Sequence, residues 1–148
     1  MITEVYGDLV KQAEQFDVIG HGCNCFVTMG AGIAKEIKRK FPEAYEVDLA
    51  TLKGDNTKLG TITYTKHTKP VIVNCYSQYR YGREKGVMYC NYDAIRSCMK
   101  KIKEKFSGKK IGLPKIGCNL AGGDWATVSK IIAEELGNEN VTIVTLKK

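Results

Sequence analysis

The sequence predicts an α/β protein, a three-layer α/β/α sandwich around a mixed, largely parallel central sheet. Three observations predict it. Short β-branched runs alternate with longer stretches of helical periodicity. Two glycine-rich segments each stand between a strand run and a helical run. The length, 148 residues, suits one domain with a substantial core, so residues 1–148 are read as a single domain.

Each element has its own warrant. Ile2–Tyr6 reads as a strand, and a short helical turn follows Asp8. Val18–His21 is a second strand. In Ala31–Phe41 the apolar positions Ile33, Ile37 and Phe41 step by four, which predicts a helix. Thr61–Thr65 and Val71–Tyr76 are strand runs separated by a short polar segment. An antiparallel hairpin is expected there, and it makes the sheet mixed. Asp93–Phe106 is helical through Ile95, Cys98, Met99, Ile102 and Phe106. Ile111–Leu113 is a strand, and Trp125–Leu136 is a helix through Val128, Ile131, Ile132 and Leu136. Val141–Leu146 is the last strand. Strands spaced by helices imply a layered, mostly parallel sheet. Ligands of such sheets bind beyond the carboxyl ends of the strands, so function is sought in the loops there.

Composition narrows the function classes. A hydrophobic fraction of 43% with 26% charged residues excludes a disordered tail, a collagen-like repeat and a long coiled coil. No apolar run is long enough to span a membrane. The first residues lack the pattern of an export signal, so a cytoplasmic location is expected. The six cysteines, Cys23, Cys25, Cys75, Cys90, Cys98 and Cys118, are then expected as reduced thiols. No C-x-x-C pair exists and the only histidines are His21 and His67, so neither a metal nor another cofactor is expected. The net charge of +7 favours an anionic partner. Most of the lysines, such as Lys100, Lys101, Lys103 and Lys105, lie in blocks that leave the apolar stripes clean. They read as solvated helix faces, and no aromatics are interleaved with them, so a nucleic-acid partner is disfavoured.

The first glycine loop runs from Gly22 to Ala34 and enters a helix. Gly30 and Gly32 let backbone approach a ligand, and the helix N-terminus offers unpaired amides to an anion. Neither G-x-x-x-x-G-K-[ST] nor G-x-G-x-x-G is present. The second loop, Pro114 to Trp125, repeats the arrangement with Gly117, Gly122 and Gly123. Two such loops can grip a diphosphate from both sides.

These segments resemble the macro domain family, the ADP-ribose-binding α/β module, over nearly the whole chain. Gly7-Asp8-Leu9 is similar to that family's early motif, whose Asp accepts a hydrogen bond from adenine. Asn24 falls at the asparagine that touches the distal ribose. Met29-Gly30-Ala31-Gly32-Ile33-Ala34 resembles the first phosphate loop, and Ile116-Gly117-Cys118-Asn119-Leu120-Ala121-Gly122-Gly123 the second. Within the family, the wording resembles the branch of yeast and phage-type ADP-ribose-1″-phosphate phosphatases and terminal ADP-ribose glycohydrolases. The glycohydrolases use a Lys and an Asp where this chain has Gln78 and Ala121, and neither can replace them. Gly122-Gly123-Asp124-Trp125 resembles the phosphatase-like ending. The resemblance thus implies ADP-ribose binding and hydrolysis of ADP-ribose 1″-phosphate. The alternatives are ADP-ribosyl ester hydrolysis and non-catalytic ADP-ribose reading. The partners implied are these small molecules, with ADP-ribosylated macromolecules as a further class, and a monomer is expected.

Phosphate ester hydrolysis needs charge stabilisation, a placed water and help for the leaving oxygen. An unperturbed histidine titrates in the useful range, so His21, just before the first loop, is a candidate acid or base. A ring satisfied by a backbone carbonyl beneath the loop is the alternative. Asp124 either serves the water or leaving oxygen, or caps the following helix. Asp8 likewise reads as adenine contact or cap. Asn24 joins His21 and Asp124 as the catalytic candidates. Cys118 reads as a packing residue rather than a nucleophile. Tyr76, Tyr79 and Tyr81 cluster with Arg80 and Arg83, suited to stacking on a base or sugar and pairing with phosphate. Tyr76 and Gln78, which faces the distal ribose or terminal phosphate in this reading, complete the binding set.

Overall fold

A computed structural model describes residues 1–146. The strands are β1 (Ile2–Tyr6), β2 (Val18–Cys23), β3 (Ile62–Tyr64), β4 (Val71–Tyr76), β5 (Lys110–Leu113) and β6 (Asn140–Thr145). The helices are α1 (Gly32–Lys40), α2 (Pro42–Leu49), α3 (Tyr92–Phe106) and α4 (Trp125–Leu136). One sheet runs β1-β6-β5-β2-β4-β3. Every neighbouring pair is parallel except β3 with β4, which is the expected hairpin, with Ile62 opposite Cys75.

The alternation within each strand decides which face it feeds. On β4, Val73 and Cys75 join the core under α3 and α4, with Ile95, Met99, Ile102, Val128 and Ile132. Ile72 on the same strand joins the opposite core under α1, with Ile19, Ile37, Phe16 and Leu9. Both faces of the central strands are covered, and this double coverage is why those strands read as continuous apolar runs.

One helix escaped the periodicity. α2 begins at Pro42, a favoured first helical residue, and buries Ala44 and Asp48. A buried aspartate on the inner face breaks the apolar stripe that would reveal the helix in the sequence. The helix expected over Ala31–Phe41 ends at Lys40, because Pro42 starts a new one. The turn after Asp8 is present and closes in a short 3₁₀ segment at Ala13–Gln15. No helix of the described residues is long and apolar enough to cross a membrane.

Candidate functional site

The loops after β2, β4 and β5 enclose a cavity of about 410 Å³ at the carboxyl edge of the sheet. Asn24, Met29, Gly30, Ala31, Gly32, Ile33, Gln78, Ile116, Gly117, Cys118, Asn119, Leu120 and Ala121 all line it. Thr28, Tyr81, Gly82, Arg83 and Lys115 line it as well.

The anion-binding part is backbone. Helix α1 starts at the cavity, and its N-cap, Ala31, offers no side-chain acceptor. Its first turn carries no acidic residue, so its amides are left for a ligand. Helices α3 and α4 differ, because Asn91 and Asp124 accept hydrogen bonds from their first-turn amides. The second loop needs its glycines where it turns. Gly117 has φ +76°, and a Cβ there would meet Ile95 at 2.9 Å and Cys90 at 3.1 Å.

Asn24 shapes the first loop. Its Oδ1 accepts from Phe26 N at 2.8 Å, and its Nδ2 donates to Thr28 Oγ1 at 2.7 Å. The bracketed Val27 sits at φ +59°, an uncommon conformation for a β-branched residue, and Tyr45 Oη donates to its carbonyl at 3.0 Å. On the other wall, Gln78 Nε2 donates to Arg80 O at 2.9 Å. Lys115 Nζ lies 5.4 Å from the Trp125 ring centre. The Cys118 thiol is pushed up to about 11 by burial, so it is protonated at neutral pH and packs.

Five expected residues lie elsewhere. His21 does not reach the cavity: it is fully buried on β2, facing β4. Asn74 Nδ2 donates to Ala44 O and Thr63 Oγ1, which leaves Oδ1 as the acceptor for His21 Nε2 at 2.7 Å. Burial lowers the imidazole pKa to about 4. Tyr76 points into the same buried layer. Its hydroxyl donates to Asp48 Oδ1 at 2.8 Å and lies 3.0 Å from Thr63 Oγ1. His21, Asn74, Thr63, Tyr76 and Asp48 therefore form one line of hydrogen bonds beneath the first loop. Strand alternation explains the misplacement, because successive side chains at the end of a strand point to opposite faces.

Asp124 caps α4, accepting from Thr127 N at 3.0 Å and Thr127 Oγ1 at 2.8 Å, outside the cavity lining. Asp8 accepts from Lys11 N at 3.0 Å and borders a separate hollow with Glu36, Arg39 and Lys40. Leu9 is buried in the core under α1. For Asp124 and Asp8 the capping alternative describes what each carboxylate holds.

Lys115 and Thr28 lie inside the two glycine loops and line the cavity, and a single Lys or Thr in such a loop carries no spacing signal in the sequence. Ser77, just after β4, belongs to no motif either. Its hydroxyl is buried without a partner, and it occupies the space where a Cβ on Gly22 would sit.

A family model described as the Macro domain matches residues 21–132. The chain is 31% identical to an uncharacterized 17.5 kDa protein of enterobacteria phage T4, covering 97% of this chain and 96% of that protein. It is 29% identical to an ADP-ribose glycohydrolase of Bos taurus, over 98% of this chain and 91% of the relative. An ADP-ribose 1″-phosphate phosphatase of Candida albicans is 25% identical over 90% of this chain and 93% of its own. Among solved structures, a protein of unknown function from Bacteroides thetaiotaomicron superposes with TM-score 0.81 at 28% identity, covering 99% and 98% of the two chains. Fold, loops and matched segment agree: the chain belongs to the macro domain family.

Proposed function

We propose that this macro domain binds ADP-ribose in the loop cavity and hydrolyses ADP-ribose 1″-phosphate to ADP-ribose and phosphate. The observation that carries the reading is the charge of the lining. Arg83 and Lys115 are its charged side chains, and among the described residues it contains no carboxylate and no imidazole. Together with the free amides of α1, such a wall suits a ligand with several phosphates. The Lys and Asp positions of the glycohydrolase motif are occupied by Gln78 and Ala121, neither of which can form a lysyl adduct or act as a general acid.

Phosphoryl transfer from a monoester depends on positioning and electrostatics more than on a strong base. In this reading the loop amides and cations hold the phosphoryl oxygens. Asn24 and Gln78 place the attacking water. Water oxygen bonds to phosphorus as the bond between phosphorus and the C1″ oxygen breaks, and a proton of the water passes by way of the phosphoryl oxygens to that leaving oxygen, giving phosphate and the anomeric hydroxyl. The departing hydroxyl is anomeric and therefore a better leaving group than an ordinary alcohol. His21 and Asp124 have no step. The relatives named as phosphatases and glycohydrolases support a hydrolase of ADP-ribose derivatives without choosing between them.

The test is phosphate release from ADP-ribose 1″-phosphate by purified, chelator-treated protein. Turnover well above a buffer blank is expected. Tight ADP-ribose binding without turnover would reduce the protein to a reader. The full-length likeness to a glycohydrolase favours one second reading. Release of ADP-ribose from an ADP-ribosylated protein, with no phosphate release, would establish that one instead.

A further inference from the structure

We infer that Arg83 is the specificity-determining residue of this site, reading the terminal phosphate that distinguishes ADP-ribose 1″-phosphate from ADP-ribose. The inference rests on the ligand assignment above and extends it to one side chain.

Three loops build the cavity, and they are not equivalent. The loops after β2 and β5 are glycine-rich and present amides, which suits the diphosphate. The loop after β4 contributes side chains instead: Gln78, Tyr81 and Arg83. This loop is held at both ends. An isolated antiparallel bridge joins Gln78 to Cys90. The amides of Tyr89 and Cys90 both donate to Ala121 O, at 2.7 and 3.1 Å, which ties the loop to the second glycine loop. Glu84 N donates to Tyr89 Oη at 3.2 Å. Between these anchors Arg83 is carried over the cavity.

The cations of this region are not interchangeable. Arg80 is engaged, its guanidinium 4.9 Å from the Tyr89 ring centre. Lys85 does not line the cavity. Lys115 belongs to the second glycine loop and stands beside Trp125. Arg83 has no ion pair and no side-chain hydrogen bond among the described residues. Its guanidinium fork is therefore available, and forks of this kind match phosphate oxygens in pairs.

Placement along the cavity supplies the direction. The glycine loops after β2 and β5 and the N-terminus of α1 line one stretch of it with amides, and the β4 loop lines it with Gln78, Tyr81 and Arg83. A ligand with its diphosphate on those amides extends its far ribose to the β4 loop, and a phosphate on that ribose meets Arg83.

The experiment compares Arg83→Gln and Arg83→Lys with wild type, using Lys85→Gln as the control cation on the same loop. Two quantities are read: kcat/KM for ADP-ribose 1″-phosphate, and the inhibition constant of ADP-ribose. Arg83→Gln is expected to lower the first by about tenfold or more and to move the second less than about twofold. Arg83→Lys recovers part of the loss, and Lys85→Gln shows none. Equal losses in both quantities, or no loss in either, would overturn the inference. If wild type releases no phosphate, the hydrolysis reading has failed, yet the inference is still decided by calorimetry. The ratio of affinities for intact ADP-ribose 1″-phosphate and ADP-ribose must fall in Arg83→Gln, and an unchanged ratio would refute it.

Discussion

Two regions meet at the carboxyl ends of β2 and β4, and they use polar residues in opposite ways. Beneath the first loop lies the line His21, Asn74, Thr63, Tyr76 and Asp48, bonded group to group and buried except at the half-buried Thr63. Above it lies the cavity, walled by backbone amides, Asn24, Gln78, Arg83 and Lys115. The buried layer contains the titratable groups that look catalytic on paper. The cavity lining contains none of them. Burial explains the division, because a low-dielectric layer favours groups that hydrogen-bond one another, with Asp48 Oδ2 as its unpartnered atom, whereas an open cavity can keep charged side chains in water.

The largest expected effect strikes the cavity alone. Gly117→Val puts a β-branched residue at φ +76° against Ile95 and Cys90. Loss of about 3 kcal/mol of stability and of ADP-ribose binding is expected, read by denaturant unfolding and by calorimetry on protein shown folded by circular dichroism. Binding retained at wild-type strength would break the assignment of the second loop.

The next prediction strikes the buried layer. The folded imidazole of His21 takes up a proton only near pH 4, whereas the unfolded one does so near 6.5. Between those values the unfolded chain binds more protons. The stabilisation is therefore complete above about pH 6.5, declines as pH falls, and levels off below about pH 4. The swing is about 3 kcal/mol. Unfolding followed from pH 7.5 to pH 4 should show it in wild type and show most of it missing in His21→Gln. An equal slope in both proteins would mean that His21 is not the group responsible.

A smaller effect separates shaping from touching. Asn24→Ala removes both brackets of the Val27 turn, and a fall of about tenfold in ADP-ribose affinity is expected by calorimetry. The smallest belongs to Asp124→Ala. It should cost about 1 kcal/mol of stability through the lost cap of α4 and change turnover less than about twofold. A large loss of rate there would return Asp124 to the chemistry and redraw the boundary between the regions.

Much of the cavity was legible because its chemistry is local. Gly30, Gly32, Gly117 and Gly122 mark turns wherever they occur, and the strand–loop–helix order around them points to amides. His21, Tyr76 and Asp48 were not legible in that way. Their roles depend on which face of a strand or helix is covered, and the partners are distant in sequence: Asn74 for His21, and Asp48 for Tyr76. Helix α2 was hidden for the same reason, since Asp48 is apolar-facing only because Tyr76 meets it there.

The sequence by itself determined the six strands and the helices α1, α3 and α4 in chain order, the hairpin of β3 and β4, the two amide-rich loops and the family. Periodicity, turn residues and short motifs are properties of neighbouring residues, so they survive without a structure. Tertiary structure alone decided that His21 and Tyr76 are buried beside Asn74 and Asp48 rather than in the cavity, and which of its two readings the Asp124 carboxylate follows, the helix cap. Those outcomes depend on sheet order and on which side of a strand a side chain emerges. Groups far apart along the chain set both together.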